Sequence, residues 1–82
     1  MNLGSNNLKG TLPSSFSALT SLQSLILDNN PAFTPDMKEI SKLIQLTLLN
    51  LAGTNLSGTI PSQIGNLRLL TYLVLSNTPI TL

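Results

Sequence analysis

Cysteine and histidine are both absent from these 82 residues. That excludes disulfides, thiol nucleophiles, imidazole bases and the usual zinc ligand sets. It also leaves the redox compartment unmarked. Charge is scarce as well. Only 9% of residues are charged, and Lys9, Lys38, Lys42 and Arg68 against Asp28, Asp36 and Glu39 leave a net +1. So small a surplus offers no electrostatic footprint for nucleic acid or an anionic membrane. The first twenty residues lack a basic n-region and a continuous apolar h-region, so they do not read as a signal peptide. No window approaches the ~18 consecutive apolar residues of a bilayer span, so this segment does not insert into membrane by itself. The three acids are a thin inventory for catalysis. Asp36 and Glu39 lie three apart beside Lys38 and Lys42, which suits helix capping and i,i+3 pairing better than a general acid–base pair in a cleft. Nothing resembles a phosphate loop, a metal cluster or a nucleophile–base pair. No enzymatic activity, metal or cofactor is expected.

What the chain has in quantity is leucine, at a fixed interval. The stretch Leu46 to Pro61 reads L-x-x-L-x-L-x-x-T-x-L-x-G-x-I-P. Twenty-four residues back, and again 48 back, most of that skeleton recurs. The columns run Met1, Leu25, Leu49, Leu73; then Leu3, Leu27, Leu51, Leu75; then Asn6, Asn30, Thr54, Thr78. Leu19, Leu43, Leu67 keep the register, as do Leu22, Leu46, Leu70 and Phe16, Ile40, Ile64. A short period with this leucine spacing is the signature of a repeat solenoid.

Within each L-x-L, two leucines point to the same side of an extended strand. Every coil therefore contributes one short strand, stacked coils form a parallel sheet, and only stacking buries the leucines. The Asn column closes each strand, because an amide both donates and accepts where the chain leaves the sheet. These side chains should form a ladder, weaker in the C-terminal half, where Thr54 and Thr78 can donate only once. In coil two the segment from Thr34 to Leu43 reads as a short helix. Thr34 is its expected N-cap, Pro35 its first residue, and Asp36 sits near the positive end of the dipole. Met37, Ile40 and Leu43 share one face. Gly10 and Gly58 should adopt positive φ or allow close approach of coils. Pro13 and Pro61 suit an extended outer segment.

The run L-x-x-L-x-L-x-x-N-x-L-x-G-x-[IL]-P resembles the plant-type leucine-rich repeat, as in receptor-like kinases, receptor-like proteins and polygalacturonase inhibitors. The likeness covers essentially the whole chain and is most specific at Asn55-Leu56-Ser57-Gly58-Thr59-Ile60-Pro61. Coil two departs from it, as do Thr54 and Thr78. The resemblance implies an α/β class and a right-handed solenoid with a parallel sheet on the concave face. Short 3-10, α or extended segments would line the convex face. It further implies an extracellular or cell-surface setting, a membrane-associated parent, and recognition of a protein or peptide ligand.

Residues 1–82 are expected to be about three and a half coils, uncapped at both ends, of a longer solenoid whose neighbouring repeats complete the stack. Ligand contacts would come from non-leucine strand positions on the concave sheet: Ser24, Ile26, Asp28, Leu48, Asn50, Tyr72, Val74 and Ser76. Tyr72 and Asp28 lead, the first as a rigid amphipathic anchor and the second as the face's one formal charge. Four strands at ~4.8 Å spacing, each ~17 Å long, project roughly 300 Å². A standard interface takes ~800 Å² per partner, so this segment supplies part of an epitope. The alternative is a structural spacer whose coils touch no ligand. Asn55-Leu56-Ser57 is also a formal N-glycosylation sequon, meaningful only in a secreted chain.

Overall fold

The computed structural model describes residues 1–11, 14–59 and 62–81, so Pro13 and Pro61 lie outside the described residues. Seven short strands and one α-helix follow in order: β1 (Lys9–Gly10), β2 (Ser24–Ile26), β3 (Ala32–Phe33), α1 (Met37–Ile40), β4 (Leu48–Asn50), β5 (Gly58–Thr59), β6 (Tyr72–Val74) and β7 (Ile80–Thr81). Two 3-10 helices, Ser14–Ala18 and Ser62–Asn66, occupy the outer side of coils one and three, and α1 takes that place in coil two.

The 24-residue interval becomes strand register directly. Ser24 pairs with Leu48 and Leu48 with Tyr72, while Ile26 pairs with Asn50 and Asn50 with Val74, all parallel. Asn2 adds a bridge to Ile26 on the coil-one side. Hydrogen bonding runs past the strand ends. Leu27 N donates to Asn50 O and Asn29 N to Ala52 O, both at 2.9 Å, and Leu51 and Gly53 repeat the pattern onto Val74 and Ser76. The sheet order β2-β4-β6 thus lays successive coils side by side.

Behind this sheet lies the core. Leu25, Leu27, Ile40, Leu43, Leu46, Leu49 and Leu51 have no exposed surface, and Phe33, Met37, Leu56 and Leu67 are nearly as buried. Burial follows position in the stack. Leu49 is fully enclosed, whereas Leu73, in the same column, is 37% exposed. A leucine here needs a coil on each side to lose its water.

A second set of backbone pairs lies on the flank where the chain has left the main sheet. β1 pairs with β3 and β5 with β7, both parallel. The sequence suggested only extended segments there. The two pairs form separate sheets, and between them Asn55 N donates to Phe33 O at 2.8 Å. Gly10 and Gly58 have φ of 78° and 83°. A side chain at either would meet nothing within 4 Å, so backbone conformation alone, not close approach, calls for glycine here.

The coil-two helix is shorter than its sequence suggests, and its cap differs. Asp36, not Thr34, is the N-cap: its Oδ1 accepts from Lys38 N at 3.0 Å. Thr34 is engaged elsewhere. Its backbone N–H donates to Gly10 O at 2.7 Å, and its hydroxyl accepts from Asn55 Nδ2 at 3.4 Å. The helix therefore starts at Met37, directly after Asp36. Met37, Ile40 and Leu43 are buried as a stripe, and α1 packs between the two 3-10 helices. Asp36→Ala is expected to cost about 1 kcal/mol of unfolding free energy. Thr34→Ala should cost less, because its short inter-coil bond is a main-chain one and the side-chain bond it loses, from Asn55 Nδ2, is long and exposed. Equilibrium denaturation of the two variants checks the order.

Candidate functional site: the exposed face of the three-stranded sheet

Side chains alternate across each strand, so the residues between the buried leucines share the opposite, concave face. Register puts Ser24, Leu48 and Tyr72 in one row and Ile26, Asn50 and Val74 in the next. Asp28, Ala52 and Ser76 follow two residues further on. Ser24, Ile26, Asp28, Leu48 and Asn50 are half-buried, whereas Tyr72, Val74 and Ser76 are exposed, Tyr72 at 67%. The structure therefore brings all eight sequence-nominated contact residues onto one surface. Leu48 stands between Ser24 and Tyr72, and Asn50 between Ile26 and Val74.

Two asparagines hold the edge of this face in shape. Asn50 Oδ1 accepts from Ala52 N at 3.1 Å, and Asn2 Oδ1 accepts from Gly4 N at 3.0 Å. Asp28 lacks any such anchor. Among the described residues the ion pair is Lys42–Glu39, at 3.5 Å on the helix side, and the Asp28 carboxylate takes neither ion pair nor hydrogen bond. Its column neighbours are Gly4 and Ala52, too short to cover it. A Cβ at Gly4 would collide with Asp28 Oδ1, so glycine there leaves room for the carboxylate.

The next column, Ser5, Asn29, Gly53 and Asn77, turns the chain away from the sheet. Its φ values are 55°, 57°, 67° and 57°. All four adopt the left-handed conformation that Asn and Gly tolerate best. Their role is backbone geometry. The sequence signal was present: three of four residues at this spacing are Asn or Gly.

Asn30 is the hinge between coils one and two. It is fully buried. Its Oδ1 accepts from Asn6 N at 3.1 Å and Leu8 N at 3.0 Å in the preceding coil. Its Nδ2 donates to Leu3 O across the coils and to Leu27 O and Asp28 O in its own. Thr54 and Thr78 instead donate only to Leu51 O and Leu75 O, both at 2.7 Å and both within their own coil. Asn6 is exposed. Cross-coil bonding by this column is thus concentrated at Asn30.

Sequence reading missed a second polar line at the start of the strands. Thr47 Oγ1 donates to Gln23 O and Thr71 Oγ1 to Thr47 O, each at 3.1 Å. The 24-residue spacing of Gln23, Thr47 and Thr71 was the available clue. It also missed Ile44 and Leu69, which are 56% and 51% exposed in the loops leading into β4 and β6. Asn55 and Ser57 of the sequon are exposed on either side of buried Leu56. Asp36 and Glu39 are occupied by the cap and by Lys42. Surface depressions of a few hundred Å³ occur on the flanks and loops, one of them, about 500 Å³, lined by Thr20, Ser21, Gln23, Lys42, Ile44 and Gln45.

These features define a class: a parallel-strand solenoid that buries one face of its sheet and presents the other as an open surface. Residues 1–19 and 45–67 match the family model Leucine Rich Repeat, and the chain belongs to the leucine-rich repeat family, of the plant type. No curated protein matches the chain. Solved structures do. A chain in the crystal structure of the BIR3–SERK2 complex from Arabidopsis thaliana superposes with a TM-score of 0.86 at 35% identity, covering 98% of this chain and 43% of that one. The plant peptide hormone receptor RGFR1, in complex with RGF2, gives 0.83 at 32% identity, covering 98% of this chain and 13% of that one. This chain therefore spans less than half the length of each of these two solved chains. The fold is that of a protein-interaction module.

Proposed function

We propose that the concave face binds an extended protein or peptide segment and forms part of the ligand surface of a receptor-like leucine-rich repeat protein outside the cell. One observation carries the reading. Ile26, Leu48, Tyr72 and Val74 stand on adjacent strands of the sheet face opposite the core, and among the described residues no element packs over them. Apolar side chains there contribute nothing to the leucine core, and exposed apolar clusters rimmed by polar groups favour partners. Ser24 and Ser76 stand beside these apolar side chains and Asn50 stands among them, and all three can meet main-chain groups of a ligand. The similar solved chains support the same reading, since one lies in a complex of two proteins and the other holds a peptide hormone. In that compartment Asn55, exposed on the flank, would be open to N-glycosylation without blocking the concave rows.

The test is selection of random twelve-residue peptides displayed on phage against the chain. Tyr72→Ala and Leu48→Ser should each weaken the selected binders roughly tenfold, the scale of a hot-spot truncation. Lys42→Ala, on the helix side, should leave them unchanged, with circular dichroism confirming that all three variants are folded. Binding insensitive to both concave substitutions would favour the spacer reading instead.

A further inference from the structure

We infer that the concave surface selects peptides carrying a basic side chain, with Asp28 as the group that receives it. The inference rests on the recognition reading above and deepens it. Charge on this chain is segregated. Lys38, Lys42, Asp36 and Glu39 belong to the α1 segment, Lys9 to β1 on the flank, and Arg68 to the loop before β6. Of the concave columns, only Asp28 carries formal charge. Although the chain as a whole is net positive, the side chains of this face carry one negative charge and no positive one, the Met1 ammonium lying at the sheet edge on Ser24 O.

Asp28 is also poorly shielded. Its carboxylate has no ion pair among the described residues, where Lys42–Glu39 is the pair present. The flanking positions of its row are Gly4 and Ala52, whose side chains cannot reach across to neutralise or cover it. A Cβ at Gly4 would overlap Asp28 Oδ1, so a larger residue there would push the carboxylate aside. A half-buried carboxylate is screened less than a fully exposed one, so an incoming ammonium or guanidinium gains more here than on open surface. Asn50, whose Oδ1 is tied to Ala52 N, stands on the strand next to Ile26 and keeps its two amide hydrogens for a ligand acceptor.

Geometry sets the rest of the ligand. Asp28 lies in register with Ala52, four residues beyond Leu48 along the strand direction. At ~3.3 Å per residue that is roughly 13 Å, with one further strand spacing of ~4.8 Å across. In an extended peptide, side chains four residues apart fall on the same side and span the same ~13 Å. The ligand therefore carries Lys or Arg about four residues from an apolar side chain, the first on Asp28 and the second over Leu48 and Tyr72.

Parallel selections of the random twelve-residue phage library against the wild-type chain and Asp28→Asn test this. The substitution keeps shape and removes charge. Wild-type binders should be enriched about three- to fivefold in Lys and Arg over the input library, the scale of a single partly exposed ion pair. Most should place the basic residue four from an apolar one. The enrichment should disappear with Asp28→Asn, while binders that are lost with Tyr72→Ala persist. Concave-face binders without basic enrichment, or with equal enrichment against Asp28→Asn, would overturn the charge assignment and leave the recognition reading standing. Failure to select any binder to the folded chain would overturn both.

Discussion

Replacing Asn30 by alanine is expected to cost about 3–4 kcal/mol of unfolding free energy. Each buried backbone group left without a partner costs about 1–3 kcal/mol. Asn30→Ala strands the Asn6 and Leu8 amides and the Leu3 and Leu27 carbonyls together. Water reaches the coil-one groups, which are only part-buried, so the sum falls well short of four full penalties. A domain of this size holds roughly 4–12 kcal/mol in total, so the loss is a large share. Thr54→Ala, one coil later, removes a single bond to Leu51 O and should cost about 1 kcal/mol. Asn30→Thr should fall between, since a threonine can keep an own-coil bond as Thr54 does but cannot reach coil one. Asn30→Asp should be no better than alanine, because a carboxylate would face the carbonyls of Leu3, Leu27 and Asp28. Guanidinium denaturation ranks the variants, and amide exchange at Asn6 and Leu8 reports the lost cross-coil bonds. If Asn30→Ala proves no worse than Thr54→Ala, the side chain does not clasp the two coils.

Leu49→Ala should be equally damaging for a different reason. Leu49 is fully enclosed between Leu25 and Leu73 in its column. Removing a buried leucine side chain forfeits its transfer free energy and leaves a cavity, together about 3–4 kcal/mol. The backbone on either side is pinned by the ladder, from Thr47 N on Gln23 O to Leu51 N on Val74 O, so the site cannot collapse to fill the space. For a domain this small the midpoint of thermal unfolding should drop by more than ~10 °C. Leu73→Ala tests the same column where it is 37% exposed, and should cost about 1 kcal/mol. Calorimetry of the pair decides the matter. Equal losses would mean that burial between neighbouring coils does not govern the column.

The two largest effects differ in how legible they were. Leu49 is evident from spacing alone, because a residue repeated at 24 in an L-x-L context must face the stack. Asn30 was placed in its column by the same spacing, but nothing linear distinguishes it from Asn6, which is exposed. The difference is what lies on the N-terminal side: Asn30 has the coil-one backbone within reach of its amide. The helix cap shows the same divide. Thr34-Pro35-Asp36 offers two capping residues, and propensity alone allowed Thr34. In the stacked coils the Thr34 hydroxyl accepts from Asn55 Nδ2, 21 residues further on, and Asp36 Oδ1 takes the Lys38 amide.

The candidate site divides along the same line. Which side chains share the concave face was set by alternation and period, both of them local. The bare carboxylate at Asp28 and the pinned Asn50 came only with coordinates.

Strand register, the leucine core and membership of the concave face follow from the sequence by itself, because a constant interval stacks like on like and alternation assigns each side chain a face. The choice of Asp36 as cap, the single asparagine clasp, the division of the flank into two strand pairs and the unshielded charge were decided by tertiary structure. Each depends on distances between atoms about one coil apart in the chain, and such distances exist only once the coils have stacked.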